Sequence, residues 1–336
     1  DKKYLEFAVK VLHRRLRDDL SPEGAILRRG SDGATAEIAD YTTVTCMVIP
    51  VVDMAVLLKK LGDDRFRFFE QCAEKTADFV VKRDLDFPTE GGFNEQVNTE
   101  VEEGSMSCSA LTVLYTARFI KNKKEYLDYA EKILKIHDAF TVSTPHPVMF
   151  RSSLRWWETI WEGDSDGPAV CYGHAWSVWR AEAEYWYALL THDDKRLLDS
   201  YNCFMTNLAK EDSGGNMYAI YQYEPISSGA LAENGESVDF SDRTGFPKRH
   251  DMTLSRYSFA RGYDTWLNTV AVLPDRVIGG YRHGNEIIPF SDDFNTLYIG
   301  NIADDLEIKV PHNVRIIAGE KIKISGDNII RIKIKQ

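Results

Sequence analysis

Four amphipathic segments recur along this chain and limit what it can fold into. "KKYLEFAVKVLHRRL" begins at Lys2, "FRFFEQCAEKTADFVVKR" at Phe66, "KKEYLDYAEKILKIHD" at Lys123 and "DKRLLDSYNCFMTNLAK" at Asp194. Aligned on Ala8, Ala73, Ala130 and Tyr201, they return every 57 to 71 residues. Each carries apolar residues at helical spacing, so each buries one stripe and leaves the rest in water. The last three follow short polar turns, "LGDD", "KNKK" and "THDD". Ahead of each turn stands a more apolar segment: "TTVTCMVIPVVDMAVLLKKLG", "SMSCSALTVLYTARFIK" and "HAWSVWRAEAEYWYALLT". A fourth, "TLSRYSFARGYDTWLNTVAVL", starts at Thr253. A helix that is apolar on most faces is buried on most faces. The repeating unit is therefore a buried inner helix, a tight turn and an amphipathic outer helix. Such hairpins stack into an open solenoid or a closed ring.

Long stretches join each outer helix to the next inner one: residues 83 to 104, 139 to 171 and 210 to 252. Helix connections usually run about 2 to 8 residues, and longer ones are often functional. All three fall at the N-termini of the inner helices, so one end of the stack is elaborated and the other is plain. That is how a binding face is built. After Leu273 the pattern changes to short alternating runs, "RVIGGYRHGNEIIPF", "TLYIGNI", "LEIKVP", "VRIIAGEKIKIS" and "IIRIKIKQ". These read as antiparallel strands. The expected division is a helical catalytic domain over residues 1–273 and a small β module over 274–336, packed on the helices.

Several function classes are poorly supported. The net charge is -11, and no long basic run offers a surface to nucleic acid. No apolar run reaches the roughly 18 residues of a membrane span. The compartment stays open between periplasmic, secreted and cytoplasmic. The five cysteines form no CxxC pair and most sit in apolar helical patterns, which predicts buried free thiols. No HExxH, GxGxxG or GxxxxGK[ST] pattern occurs, so neither a zinc site nor a nucleotide site is indicated, and no cofactor or metal is expected. "GDSDG" from Gly163 has alternate aspartates but lacks the rest of a calcium loop, and reads as a turn.

The alternation of inner and outer helices, with turns such as "LGDDRFRFFEQCAEKTADF", resembles the α/α-toroid carbohydrate-active enzymes. These include the six-hairpin glycosidases and several polysaccharide lyases. The resemblance spans roughly residues 2 to 270 and is architectural. It implies a mainly α fold, an (α/α) toroid followed by a small antiparallel β module. It also implies a site in the central funnel, near the N-termini of the inner helices. The sequence departs from a six-hairpin ring in offering four outer and four inner helices and in opening on an outer one. The expectation is either a smaller ring or further chain ahead of Asp1.

The richest stretch at that end is "RSSLRWWETIWEGDSDGPAVCYGHAWS", from Arg151 to Ser177. It sets Trp156, Trp157 and Trp161 beside Glu158, Glu162, Asp164 and Asp166. Sugar rings have apolar faces and hydroxyl edges, so aromatic rings and carboxylates together suit a glycan. The same tryptophans could instead close the core under a long loop. An aromatic wall raises a neighbouring carboxyl pKa and prepares it as an acid, which makes Glu158 and Glu162 the first catalytic candidates. Glycoside hydrolysis needs a second carboxyl group opposite, for which Glu103, Glu182 and Asp251 are alternatives. His174 and Tyr172, at the start of the third inner helix, and His250 near Tyr257 are the groups a lyase would use as base and acid. Trp176 and Arg180 follow on that helix, and Arg243, Arg249 and Asp251 surround His250; all five are expected to contact substrate. Guanidinium groups there would hold a carboxylate in bidentate fashion. The leading expectation is a hydrolase acting on an oligosaccharide or polysaccharide containing uronic acid. A polysaccharide lyase, a non-catalytic glycan-binding protein and a sugar isomerase or epimerase remain alternatives.

Overall fold

The computed structural model describes residues 2–29, 36–39, 41–86, 103–139, 141–145, 150–152, 177–208, 265–327 and 329–334, with the backbone alone for 36–37, 41–43, 86 and 103–106. An outer helix, α1 (Lys2–Asp19), precedes three hairpins. These are α2 (Tyr41–Lys60) with α3 (Phe66–Arg83), α4 (Glu103–Phe119) with α5 (Lys124–Asp138), and α6 (Ser177–Thr191) with α7 (Asp194–Leu208). The helical repeat is present as the sequence predicts. In α4 every residue from Ser107 to Ala117 is buried, and in α6 every residue from Ser177 to Leu189. Outer helix α5 buries Tyr126, Tyr129, Ala130, Ile133, Leu134 and His137, one stripe at helical spacing.

The inner helices run side by side in the same direction. Near their starts, the Thr45 hydroxyl donates to the Cys108 carbonyl at 2.8 Å. Further along, the Tyr115 hydroxyl donates to Asp53 at 2.5 Å. The short turns therefore share one end of the helical layer. Gly62 closes α2 at φ 71°, the left-handed position that a glycine adopts freely. His192 occupies the corresponding place after α6 at φ 61°. A β-carbon makes that conformation costly, by about 1 kcal/mol, but the ring is held: it reaches the Ile299 carbonyl at 2.7 Å and stacks on Tyr298.

That stack belongs to the β layer, which covers the short-turn end of α6 and α7. A small hairpin, β1 (Leu27–Arg29) and β2 (Ala36–Ile38), lies elsewhere, after α1. The layer itself begins with β3 (Thr269–Val272), β4 (Val277–Ile278), β5 (Gly280–His283) and β6 (Glu286–Pro289). It continues with β7 (Thr296–Ile299), β8 (Leu306–Lys309), β9 (Arg315–Ala318), β10 (Ile322–Ser325) and β11 (Ile329–Ile334). One sheet has the order β4-β3-β7-β9 and the other β10-β11-β8-β6-β5. The strands were expected to be antiparallel, and the sheets are mixed: β3–β7, β7–β9 and β6–β8 pair in parallel. The chain passes back and forth between the two sheets, so successive strands within one sheet can run the same way. A second expectation is also corrected. The "TVAV" of the fourth apolar segment is strand β3, preceded by a single helical turn at 265–267, where a continuous helix to Leu273 was predicted.

Alternation along these strands defines three layers. Ala271, Leu273, Ile278 and Tyr298 join the helical core. Val270, Val272, Leu297 and Ile299 face the other way and pack with Ile287, Leu306, Ile308, Ile330 and Ile332. The four-stranded sheet is thus sandwiched between helices and the second sheet. Cys72, Cys108 and Cys203 are buried thiols and Cys46 is partly buried, and no two of these four are joined by a disulfide. Burial pushes the Cys72 thiol up to about 11. Cys171 lies outside the described residues.

Candidate functional site

The ends of the acid- and tryptophan-rich stretch are fixed by α7. At one end Thr206 donates to the Phe150 carbonyl at 2.9 Å, and at the other the Cys203 thiol donates to the Ser177 carbonyl at 3.2 Å. Cys203 and Thr206 are neighbours on one helical face, so the chain leaves at Ser152 and returns at Ser177 beside the same turn of α7. The stretch itself, with Trp156, Trp157, Glu158, Trp161, Glu162, Tyr172, His174 and Trp176, lies outside the described residues. So do Arg243, Arg249, His250 and Asp251.

Of the expected substrate contacts, Arg180 is the one among the described residues. Its side chain has 0% exposure, and its Nη2 donates to Asp138 at 2.6 Å and Glu184 at 2.9 Å. Around it, Arg196 reaches Asp138 at 2.7 Å and Glu184 at 3.1 Å, while Arg151 reaches Asp199 at 2.9 Å and Glu184 at 3.3 Å. The expected substrate contact is thus an internal cation, on the side of α6 that faces the outer helices. Burial pushes the Asp138 carboxyl up, but Arg196, Arg180 and Arg151 outweigh it and hold the group below the usual carboxylate range. His137, beside them, is driven well below its ordinary value, first by burial and then by Arg180. Neither of its ring nitrogens has a hydrogen-bond partner among the described residues. Glu182, an alternative second carboxylate, is also buried and accepts from the Trp186 indole at 3.4 Å.

At the opposite end of the inner helices lies a cavity of about 690 Å³ that the sequence reading missed. Its helical wall is Asp53, Tyr115, Phe119, Tyr185 and Trp186. Trp186 packs edge-on against Phe119 at 5.1 Å and Tyr185 at 5.0 Å. The facing wall comes from the starts of β3, β7 and β9: Asn268, Asn295, Thr296, Asn313 and Arg315. Because these strands are parallel, their leading residues share one edge. The Thr296 amide donates to the Asn268 carbonyl at 3.1 Å and the Arg315 amide to the Asn295 carbonyl at 2.8 Å. The sequence does carry a signal for this wall: "NTVAV", "NTLYI" and "NVRII" each place an asparagine just before a strand.

One guanidinium group lines this cavity, and a second lies close enough for their charges to act on each other. Arg315 is exposed on its wall. Arg118, half-buried at the end of α4, has its Nε and Nη2 buried without a hydrogen-bond partner among the described residues. Its pKa is lowered by burial and then by the charge of Arg315, and both cations act on Tyr185. Neither makes an ion pair among the described residues.

No protein-family profile and no curated protein sequence matches this chain. Solved structures do match it in fold. The GH76A α-1,6-mannanase from Salegentibacter sp. HEL1_6 aligns over 78% of this chain and 63% of its own at 13% identity, with a TM-score of 0.51. Unsaturated glucuronyl hydrolase from Bacillus sp. GL1, described as responsible for the degradation of glycosaminoglycan, aligns over 78% of this chain and 68% of its own at 13% identity, TM-score 0.51. A polysaccharide lyase aligns over 55% of this chain and only 28% of its own at 22% identity, TM-score 0.45. The chain thus spans under two thirds of the mannanase and under a third of the lyase. In fold, this chain is similar to the α/α-toroid carbohydrate-active enzymes.

Proposed function

We propose that this chain is a carbohydrate-active enzyme, and within that class a glycoside hydrolase acting on an oligosaccharide or polysaccharide containing uronic acid. The observation that carries the reading is the anchoring of residues 150–152 and Ser177 to one turn of α7. It fixes both ends of the segment that holds four tryptophans and four acids, at the N-terminus of an inner helix. In the proposed reaction Glu158 or Glu162 protonates the glycosidic oxygen, and a second carboxylate activates water or attacks the anomeric carbon. Trp156, Trp157, Trp161 and Trp176 cover sugar faces. Arg243 and Arg249, with Asp251, hold the uronate. The chain boundaries of the catalytic unit are proposed as residues 1–273.

A digestion screen of uronate-containing glycans tests this, read both by new reducing ends and by the ultraviolet absorbance of an unsaturated uronate. Reducing ends without absorbance are expected. In Glu158→Gln or Glu162→Gln the rate falls by roughly two to four orders of magnitude. If both signals rise together, the hydrolase reading is wrong and β-elimination, with His174, Tyr172 or His250 as the acid and base, replaces it. Binding of glycans without turnover would leave a glycan-binding protein instead.

A further inference from the structure

The cavity between the ends of α4 and α6 and the leading edge of β3, β7 and β9 is lined by neither Ser152 nor Ser177, the described residues that flank the tryptophan-rich segment. It lies at the short-turn end of the inner helices, where the sequence indicates no binding. Its chemistry divides sharply. One wall is aromatic, and the other is a row of amides on fixed backbone. Aromatic faces cover the apolar face of a pyranose, and amide groups donate to and accept from its hydroxyls. The charge is also one-sided. Arg315 is the lining cation and Asp53 the single lining carboxylate, which already accepts from the Tyr115 hydroxyl, and Arg118 is near enough for its charge to act on that of Arg315. A guanidinium with two buried, unpartnered nitrogens is costly to keep in an apolar setting, and an anion nearby relieves that cost.

We infer that this cavity is a second saccharide site, built for a pyranose that carries a carboxylate, with Trp186 against the ring and Arg315 on the carboxylate. Asn313 serves the ring hydroxyls from the rim. Arg118 acts through the field it adds beside Arg315. The volume suits a mono- or disaccharide unit. The site goes beyond the proposed hydrolase and does not depend on turnover.

Free glucuronate, which has no glycosidic bond to cleave, is the probe, so the result is independent of the digestion screen. Titration calorimetry of the full chain compares it with glucose and with acetate, and Trp fluorescence follows the same titrations. Glucuronate is expected to bind, with glucose and acetate each weaker by about tenfold or more, as loss of a bidentate charge-assisted contact or of the ring requires. Arg315→Gln, at an exposed position, is expected to remove that preference over glucose. Asn313→Gly deletes the amide while keeping the left-handed backbone, φ 64°, and should weaken glucuronate and glucose by a similar factor. Acetate binding as tightly as glucuronate, glucose binding as tightly, an unchanged preference in Arg315→Gln, or no glucuronate binding at tens of millimolar would each overturn the inference.

Discussion

Where α6 begins, the protein is held by charge: three arginines and three carboxylates interlock between α5, α6, α7 and the strap at 150–152. Where α6 ends, it is held by neutral contacts and one carboxylate, as His192 and Asp194 dock on β7 and the aromatic residues of α4 and α6 meet the sheet edge. The first end commits its cations to its own carboxylates. The second leaves two guanidinium groups without carboxylate partners beside a cavity. The same residue type therefore does opposite jobs. Arg180 fixes a helix pair, and Arg315 lines a cavity without an ion-pair partner among the described residues. Burial alone does not separate these roles, since Arg118 is itself half-buried. The presence or absence of a carboxylate within ion-pair distance does.

The largest effect is expected from breaking the charged end. Glu184 has 0% exposure and its Oε1 accepts from Arg180, Arg196 and Arg151. Glu184→Gln leaves those cations buried against Asp138 and Asp199 alone. Removing one partner from a buried network costs about 3 to 5 kcal/mol, read as a shift in the urea midpoint. A loss below about 1 kcal/mol would mean that the interlocking is no stronger than a surface ion pair and that the contrast between the two ends fails.

A smaller effect is expected at the other end. Asp194 accepts from the Tyr298 hydroxyl at 2.8 Å, the Asn301 amide at 2.8 Å and the Asn301 side chain at 3.1 Å. Asp194→Ala should cost roughly 1 to 3 kcal/mol, the worth of a partly buried carboxylate that accepts from several donors. Gly300 sharpens the test. A β-carbon there would stand 2.7 Å from the Asp194 Oδ1, so Gly300→Ala must displace that carboxylate. The two substitutions should therefore be less than additive, with the double variant little worse than the worse single one. Strict additivity in equilibrium unfolding would show that Asp194 does not anchor the β layer.

Different physical signals explain how much of this could be read from residues alone. The hairpins were legible because a helix writes its burial into the chain every three or four residues, as in Tyr126, Tyr129, Ala130 and Ile133. The strands after Val277 were legible for the same reason at a period of two, but alternation records a face and not a partner, so the parallel pairs of β3, β7 and β9 were not. "TVAV" was read as helix because a short apolar run fits both periods. Arg180 was read as a ligand contact although Glu184, one turn on, was visible in the sequence as its ion-pair partner. The cavity was illegible because its walls come from Asp53 through Arg315, and Tyr185 and Trp186 look the same in sequence whether or not a cavity opens beside them.

The expected effect that is smallest near neutral pH emerges only in acid, and it tests whether the charged end is tuned as a unit. His137 is buried among Asp138, Arg151, Arg180 and Arg196, and its folded pKa lies well below 6.5 because burial and then Arg180 disfavour the imidazolium. Below about pH 6.5 the unfolded chain binds a proton there that the folded chain refuses, so stability falls as pH falls. One such proton contributes a slope of about 1.4 kcal/mol per pH unit. Asp138 acts lower down. Its folded pKa is below 3.8, so the stability it contributes is complete above that value and is lost as pH drops through the folded pKa. His137→Leu removes no hydrogen bond among the described residues. It should match the parent near neutral pH, lose the decline that starts near pH 6.5, and keep the steeper fall that begins below about pH 4. Urea unfolding at half-unit pH steps separates the two windows. If both decline together in the variant, the imidazole is not the group that refuses the proton, and the acid sensitivity of this end belongs to its carboxylates alone.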